Sequence, residues 1–243
     1  MEKYLQTDFK SSQFVEYSKE SKEDFVSEEG RKGYRKYYNE GVTGTLLNAG
    51  VRDSKIGQQL VITLLVEGDY VNLQVPLYDQ KGNVDNNFAE SVIKFLPNLK
   101  KQNDYRFYPY NISAEVQEKG DKEAGKEVRA KYYDSRGISV KRVTEEGLVK
   151  VEAAYMYNKK GEKDPTRVPS LEWKKDRTGK NKPSAVSLEA KNEFLLSKLM
   201  DAVDGHLAYE SNNSTSSQQP NQEYKVPEPV AQTESEVSDD LPF

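Results

Sequence analysis

The strongest constraint on the fold is a pair of alternating segments on either side of a glycine turn. In Gln58–Glu67 and again in Tyr70–Leu77, every second residue is apolar, and Gly68-Asp69 separates the two segments. A period of two is typical of β-strands, because successive side chains of a strand point to opposite faces. The pattern therefore predicts a β-meander. The first strand is apolar on both sides, which favours a central, buried position for it.

The rest of the chain also favours strands. In chain order, the other predicted elements are a strand over 42–47, a helix over 88–96 that ends at Pro97, an extended segment over 105–112, a charged hairpin tip over 118–127, strands over 129–133, 137–143, 148–157 and 168–173, and a helix over 187–203 with Ser187 as its N-cap. The intervening segments are too short for repeated helical crossovers. We therefore predict a mainly β fold, an OB-fold-like closed β-barrel with one inserted helix and a C-terminal helix.

Charge and composition divide the chain into three parts. Residues 1–40 are dense in charge and lack a clean period, which predicts an N-terminal charged arm with some helix. Residues 41–205 are expected to form the folded domain. Residues 206–243 are poor in apolar groups, so we expect a disordered acidic tail. The net charge is −6 over 210–243 and +7 over 119–182, a pattern that suits a protein with a polyanionic partner.

The end of the chain, Asp239-Asp240-Leu241-Pro242-Phe243, has the properties of a portable ligand. The ring of Phe243 can fill an apolar pocket while the carboxylates meet basic residues at its rim. This tip resembles the acidic tip that ends bacterial and many phage single-stranded DNA-binding proteins. Segments of the domain are similar to tailed-phage members of that family: residues 44–77, Phe95-Leu96-Pro97-Asn98, Tyr108-Pro109-Tyr110 and residues 136–140.

The resemblance implies an OB domain that binds single-stranded DNA in replication, recombination and repair, and a tip that docks onto replication and repair proteins. The arm of forty residues and the long basic second half depart from ordinary bacterial members. The tetramer of those members is therefore not implied, and both a monomer and a homo-oligomer remain open.

Aromatic and basic residues are interleaved through the domain, as expected where bases stack on rings and phosphates meet cations. Trp173 is included among the candidate rings, although core packing is the interpretation that we favour for it. The candidate nucleic-acid-binding residues are Arg52, Lys55, Tyr70, Tyr105, Arg106, Phe107, Tyr108, Tyr110, Arg129, Lys131, Tyr132, Tyr133, Arg136, Lys141, Arg142, Tyr155, Tyr157, Trp173, Lys174 and Lys175.

Strand alternation sorts some of these candidates. In 137–143, Ile138 and Val140 are predicted to face the core, so that Ser139 and Lys141 face outward. In the same way, Tyr70 is predicted to share a polar face with the alternate residues of its strand.

Catalysis and metal binding are not expected. Gly120–Lys126 has the spacing of a phosphate-binding loop, but Glu127 stands where that loop needs Ser or Thr. Cysteine is absent, and the single histidine, His206, lies at the start of the predicted tail. We therefore expect no enzyme activity, no cofactor and no metal. The N-terminus lacks an apolar signal region, and no apolar run reaches the length of a membrane span, which predicts a cytoplasmic protein.

Two other functions are compatible with the sequence. The domain and its tail could form a protein-interaction module without nucleic acid, although such a module has little need of a basic half rich in tyrosine. A mediator that anneals complementary strands is the other alternative. The choice between DNA and RNA stays open, because stacking and phosphate contacts do not detect a 2′-hydroxyl.

Overall fold

A computed structural model describes residues 2–8, 11–18, 25–26, 32–55, 57–85, 87–126, 132–159, 161–175 and 177–209. The strands are β1 (Glu2–Asp8), β2 (Gln13–Ser18), β3 (Phe25–Val26), β4 (Lys32–Tyr38), β5 (Val42–Ser54), β6 (Gly57–Val66), β7 (Asp69–Pro76), β8 (Asp104–Ile112), β9 (Ser135–Thr144), β10 (Gly147–Lys150), β11 (Trp173–Lys175) and β12 (Asn181–Pro183). The helices are α1 (Phe88–Ile93), a 3-10 turn (Leu96–Asn98), α2 (Ala114–Glu123) and α3 (Ala185–Val203).

Strands β1 to β10 form one sheet in the order β10-β9-β8-β5-β6-β7-β1-β2-β4-β3. The predicted meander is confirmed as β5-β6-β7, with antiparallel pairing throughout. The sheet curls, because β2 approaches β8 although four strands separate them in the sheet order. The mainly β class that the sequence predicts is thus confirmed. Strands β11 and β12 form a separate two-stranded sheet.

The N-terminal residues differ from the prediction of an arm with some helix. Strand β1 runs parallel to β7 and is paired with it from Glu2↔Tyr70 to Gln6↔Gln74. Strand β2 pairs antiparallel with β1 and with β4, so the N-terminal strands extend the main sheet. The prediction of helix is wrong for these described strands, because the alternation within 2–8 is short and charged residues at both of its ends obscure it.

Three other local predictions are corrected. Residues 118–123 of the predicted hairpin tip are instead part of helix α2, whose N-cap Ser113 accepts a hydrogen bond from the amide of Val116 at 3.3 Å. Helix α3 begins after Ser184, and Ser187 lies in its first turn. The packed body also continues past residue 205, since Leu207 is buried and its carbonyl accepts from the Ala49 amide at 3.0 Å.

One side of the main sheet and the helices enclose the core. This side, the core face, carries Leu5 of β1, Ile62 of β6, Leu73 of β7 and Phe107 of β8, all nearly inaccessible to solvent. Buried residues of α1 and α3 belong to the same apolar cluster. The register shift between Leu46 and Asn48 keeps β5 aligned with β6 despite one extra residue, as a β-bulge does.

Two close contacts fix the elements around this core. Glu90 of α1 is buried and forms ion pairs with Lys191 of α3 and with Lys94, at 2.6 and 2.9 Å. Gly41 joins β4 to β5 with φ of +78°, and a Cβ at this position would lie 2.3 Å from the carbonyl oxygen of Phe107. Only glycine allows both this conformation and this approach of two backbones.

Candidate nucleic-acid interface

The side of the sheet opposite the core face carries a set of exposed tyrosines. We name it the tyrosine face and define it by Tyr4, Tyr17, Tyr37, Tyr70 and Tyr108, which lie on β1, β2, β4, β7 and β8. Each of these five side chains is at least 40% exposed. The strand registers place all five on one side of the sheet, because paired residues of neighbouring strands point to the same face.

Cations accompany these rings. Arg106 and Lys141 are cross-strand partners on β8 and β9, and they line a pocket of about 240 Å³ with Asn39, Glu40 and Tyr108. Arg106 is held in place by a hydrogen bond from its Nε to the Thr43 hydroxyl at 3.0 Å. The pocket thus combines one exposed ring with two positive groups, the combination that holds a stacked base and its phosphate.

Two further arginines lie at the other rings. The guanidinium carbon of Arg35 is 5.5 Å from the centre of the Tyr17 ring, within the range of a cation–π contact. The Glu2 carboxylate accepts from the hydroxyl of Tyr4 and raises its pKa, and the charge of Arg52 acts on the same pKa in the opposite direction. Arg52 therefore lies near Tyr4, although two strands, β6 and β7, stand between β5 and β1 in the sheet order.

Buried polar contacts hold the strands beneath the rings. The Thr63 hydroxyl donates to the side-chain oxygen of Asn72 at 2.8 Å, and the amide of Asn72 donates to Glu2 at 2.9 Å. Asn72 is only 1% exposed. A satisfied buried network of this kind fixes the register of β6, β7 and β1, and with it the positions of Tyr4 and Tyr70.

The structure separates the predicted candidates on β8 by burial. Tyr105 and Phe107 are at most 1% exposed on the core face, and their selection as nucleic-acid-binding residues is wrong. They alternate with Arg106 and Tyr108, which lie on the tyrosine face. Tyr110 is half-buried on that same face, with its hydroxyl close to Gly137.

The predicted alternation in β9 and β7 is confirmed. Ile138 and Val140 are fully buried, and Lys141 lies on the opposite side of the strand. Tyr70 shares its face with Asn72 and is 53% exposed.

The other candidates are distributed over several elements. Lys55 is exposed at the β5–β6 turn, and Arg136 and Arg142 are exposed on the side of β9 that does not carry Lys141. Tyr133 is exposed, whereas the Tyr132 hydroxyl donates to Asp121 at 3.1 Å. Arg129, Lys131 and the tip residues Asp239, Asp240, Leu241, Pro242 and Phe243 lie outside the described residues.

The candidates near α3 form a separate group. Tyr155 packs edge-on against Phe194, and the centre of the Tyr157 ring lies 4.2 Å from the ammonium nitrogen of Lys94. Trp173 is 62% exposed at the start of β11, so the favoured interpretation of core packing is wrong for it. Lys174 and Lys175 follow it in the same exposed strand. Trp173 also lines a groove of about 930 Å³ together with Leu171, Val186, Ala190 and Phe194.

Sequence reasoning missed Tyr4, Tyr17, Tyr37 and Arg35. The available signal was the alternation within 2–8, where Tyr4 and Gln6 are out of phase with Leu5 and Thr7. Charged residues at both ends of that short segment obscure the pattern.

Comparisons with protein-family models, with curated proteins and with solved structures gave no match. Among the described residues, no group of three or more acidic or histidine side chains could hold a metal ion. None of the helices in this part of the chain has both the length and the apolarity needed to cross a bilayer. The tyrosine face and the sequence of the tip are the two features of the chain that point to a function.

Proposed function

We propose that this protein binds single-stranded DNA with little sequence preference and recruits enzymes of replication, recombination and repair through its C-terminal tip. The observation that carries the proposal is the tyrosine face, where exposed rings stand beside Arg35, Arg52, Arg106 and Lys141. A base stacked on an aromatic side chain contributes about 1–3 kcal/mol irrespective of its identity. Phosphate contacts with the cations add a sequence-independent attraction.

The exposed rings favour a single strand over a duplex. In a duplex the flat faces of the bases are stacked on one another, and proteins reach only the base edges in the grooves. Tyrosine rings that project from a sheet can offer stacking only to bases that are already unstacked. The function is one of binding, with no catalytic step.

An OB-type barrel is part of this proposal. Support comes from the order β8-β5-β6-β7-β1, from the antiparallel pairing of β5 with both β6 and β8, and from the position of α1 between β7 and β8. A small Greek-key barrel with one inserted helix would have these features. In this arrangement β1 supplies the strand beside β7.

The tip supplies the second half of the proposed function. Residues 239–243 combine the phenylalanine ring of Phe243 with the acidic side chains of Asp239 and Asp240. The roughly thirty residues that join the domain to the tip would keep this ligand at a high effective concentration for any enzyme that works on the same strand. The partners are proteins with an apolar pocket rimmed by lysine or arginine.

Fluorescence anisotropy with labelled oligo-dT tests the proposal. We expect tight binding that weakens steeply as salt is raised, and much weaker binding to a duplex of the same length. Absence of binding at low salt, also for a variant that lacks residues 234–243, would overturn it. The same titration with an oligo-U of equal length measures the preference between DNA and RNA.

A second candidate function is that of a protein-interaction module, and the apolar groove beside α3 is the observation that favours it. Val186 and Trp173 line this groove and are 77% and 62% exposed. Exposed apolar surface of this kind marks many protein-binding sites. If oligo-dT does not bind, this function becomes the better account.

A strand-annealing assay distinguishes a protein that only covers single-stranded DNA from a mediator that also anneals complementary strands.

A further inference from the structure

Four neighbouring strands each present one exposed tyrosine on the tyrosine face. In sheet order these are Tyr70 of β7, Tyr4 of β1, Tyr17 of β2 and Tyr37 of β4. Neighbouring strands lie about 4.8 Å apart. Tyr4 is paired with Asn72, two residues from Tyr70, and the antiparallel register of β1 and β2 continues to place Tyr17 opposite Tyr4. The rings therefore form a row that runs across the strands.

This row is built on a rigid base. Thr63 and Asn72 are buried on the same side of the sheet as Tyr4 and Tyr70, and the side-chain amide of Asn72 donates to the carboxylate of Glu2. Val15, which precedes Tyr17 by two residues on the same side of β2, is fully buried. Rings held in this way lose little conformational freedom when a ligand stacks on them, so more of the stacking energy appears as affinity.

The charge at the row fits an anionic partner. Arg35 is the cross-strand neighbour of Tyr17, and its guanidinium lies against that ring. Arg106 and Lys141 stand beside Tyr108, in a pocket that Asn39 and Glu40 also line. Cations thus accompany rings on β2 and on β8, and these rings offer sequence-tolerant stacking.

We infer that the N-terminal strands form a second base-stacking segment, in which Tyr4, Tyr17 and Tyr37 stack bases and Arg35 contacts a phosphate. The inference rests on the proposed function and extends it. The bound strand follows the row from Tyr70 to Tyr37 and Arg35. It continues to the Arg106–Tyr108–Lys141 pocket, which Asn39 and Glu40, directly after β4, also line.

Alanine and phenylalanine variants of the full chain test this inference with oligo-dT. We expect Tyr4→Ala and Tyr17→Ala each to weaken binding roughly 5- to 150-fold, which corresponds to the loss of one stacked base. Tyr4→Phe and Tyr17→Phe keep the ring and should bind within about twofold of the wild type. Tyr209→Ala is the matched control, since Tyr209 is 72% exposed and lies outside the main sheet.

The outcomes separate this inference from the proposed function. If the wild type binds and both alanine variants bind equally well, the second segment is wrong and the proposed function stands. If the wild type does not bind, the proposed function itself fails. Should an alanine variant fail to fold, nitration of tyrosines in the wild type, with and without oligo-dT, tests the inference instead. Oligo-dT should protect Tyr4, Tyr17 and Tyr37 but not Tyr209, and a lack of protection at the first three overturns the inference.

Discussion

The ammonium nitrogen of Lys191 lies 2.6 Å from Oε2 of Glu90, and this ion pair is buried between α3 and α1. Removal of one partner leaves the other charge in an apolar setting with incomplete compensation. We therefore expect Lys191→Ala to lower the free energy of unfolding by about 3–5 kcal/mol, as measured by urea denaturation. Lys198→Ala is the control on the same helix, because Lys198 pairs with Asp201 near the surface, where such a pair contributes only about 0–1 kcal/mol. Equal losses for the two variants would contradict the role of the buried pair.

The pocket on β8 and β9 predicts two different effects on DNA binding. Under the proposed function, Lys141→Ala removes a phosphate contact, so the slope of log K against log salt for oligo-dT should become shallower by about 0.7. Tyr108→Ala should weaken binding by about 1–3 kcal/mol and leave the slope unchanged, because stacking releases no counterions. Lys119→Ala, on the exposed side of α2, serves as the control for a general change in charge. A slope that changes equally in Lys119→Ala and Lys141→Ala would argue against a defined phosphate site.

The Gly41 connection predicts a steric effect that can be separated from backbone strain. Gly41 and Gly82 both have φ of +78°, but only at Gly41 would a Cβ meet backbone atoms, at 2.3 Å from the Phe107 carbonyl oxygen. Gly82→Ala should cost about 1–2 kcal/mol of stability, the penalty of a left-handed conformation alone. Gly41→Ala should cost clearly more, because the backbone at Gly41 and that of β8 must move apart. Thermal unfolding of the two variants checks this difference, and equal shifts in Tm would contradict it.

The ion pair of Lys3 and Asp69 predicts a pH dependence. The nitrogen and oxygen atoms are 2.8 Å apart, and the hydrogen bond and charge of Lys3 lower the pKa of Asp69 to about 2. The carboxyl group of an unfolded aspartate has a pKa of about 3.9. The ion pair therefore stabilises the fold above that pH and loses this contribution as the pH falls through about 2. Asp69→Asn should therefore be less stable than the wild type at neutral pH. In urea denaturation at several pH values, this difference should shrink between about pH 4 and pH 2.

A carboxylate outside this pair provides the control. Glu145→Gln, in the exposed turn between β9 and β10, should show no comparable dependence over the same pH range. A difference between Asp69→Asn and the wild type that persists at pH 2 would mean that the Lys3 pair is not its source.

The sequence predicts the parts of the fold whose signals are local. The alternation of β6 and β7 reports directly on the two faces of a strand, and Ile138 and Val140 report on β9 in the same way. Helix α2 was missed because it buries no residue and so has no apolar period. Its local signals were the cap at Ser113 and the ion pair of Glu118 with Lys122, which together indicate a helix without a core-facing side.

The candidate site could be predicted only in part, for the same physical reason. Tyr105 and Tyr108 lie in one segment, and only the pairing of β8 with β5 decides which ring is buried. The N-terminal tyrosines depend on the parallel pairing of β1 with β7, a contact between residues distant in the chain. A charge-rich segment that becomes a strand through such a contact has no local pattern from which its partner can be inferred.

The parallel pairing of β1 and β7 also has a consequence for biosynthesis. Glu2 and Asn72 form a hydrogen bond across 70 positions of the chain, so β1 leaves the ribosome long before its partner exists. At about 5–20 residues per second, the first strand waits roughly 4 to 14 seconds. During that time an uncovered strand edge can pair with other nascent chains. The charges of Glu2, Lys3 and Asp8 make such pairing unfavourable. These charged residues obscure the alternation of β1 in the sequence, and they also protect β1 from intermolecular pairing until β7 emerges.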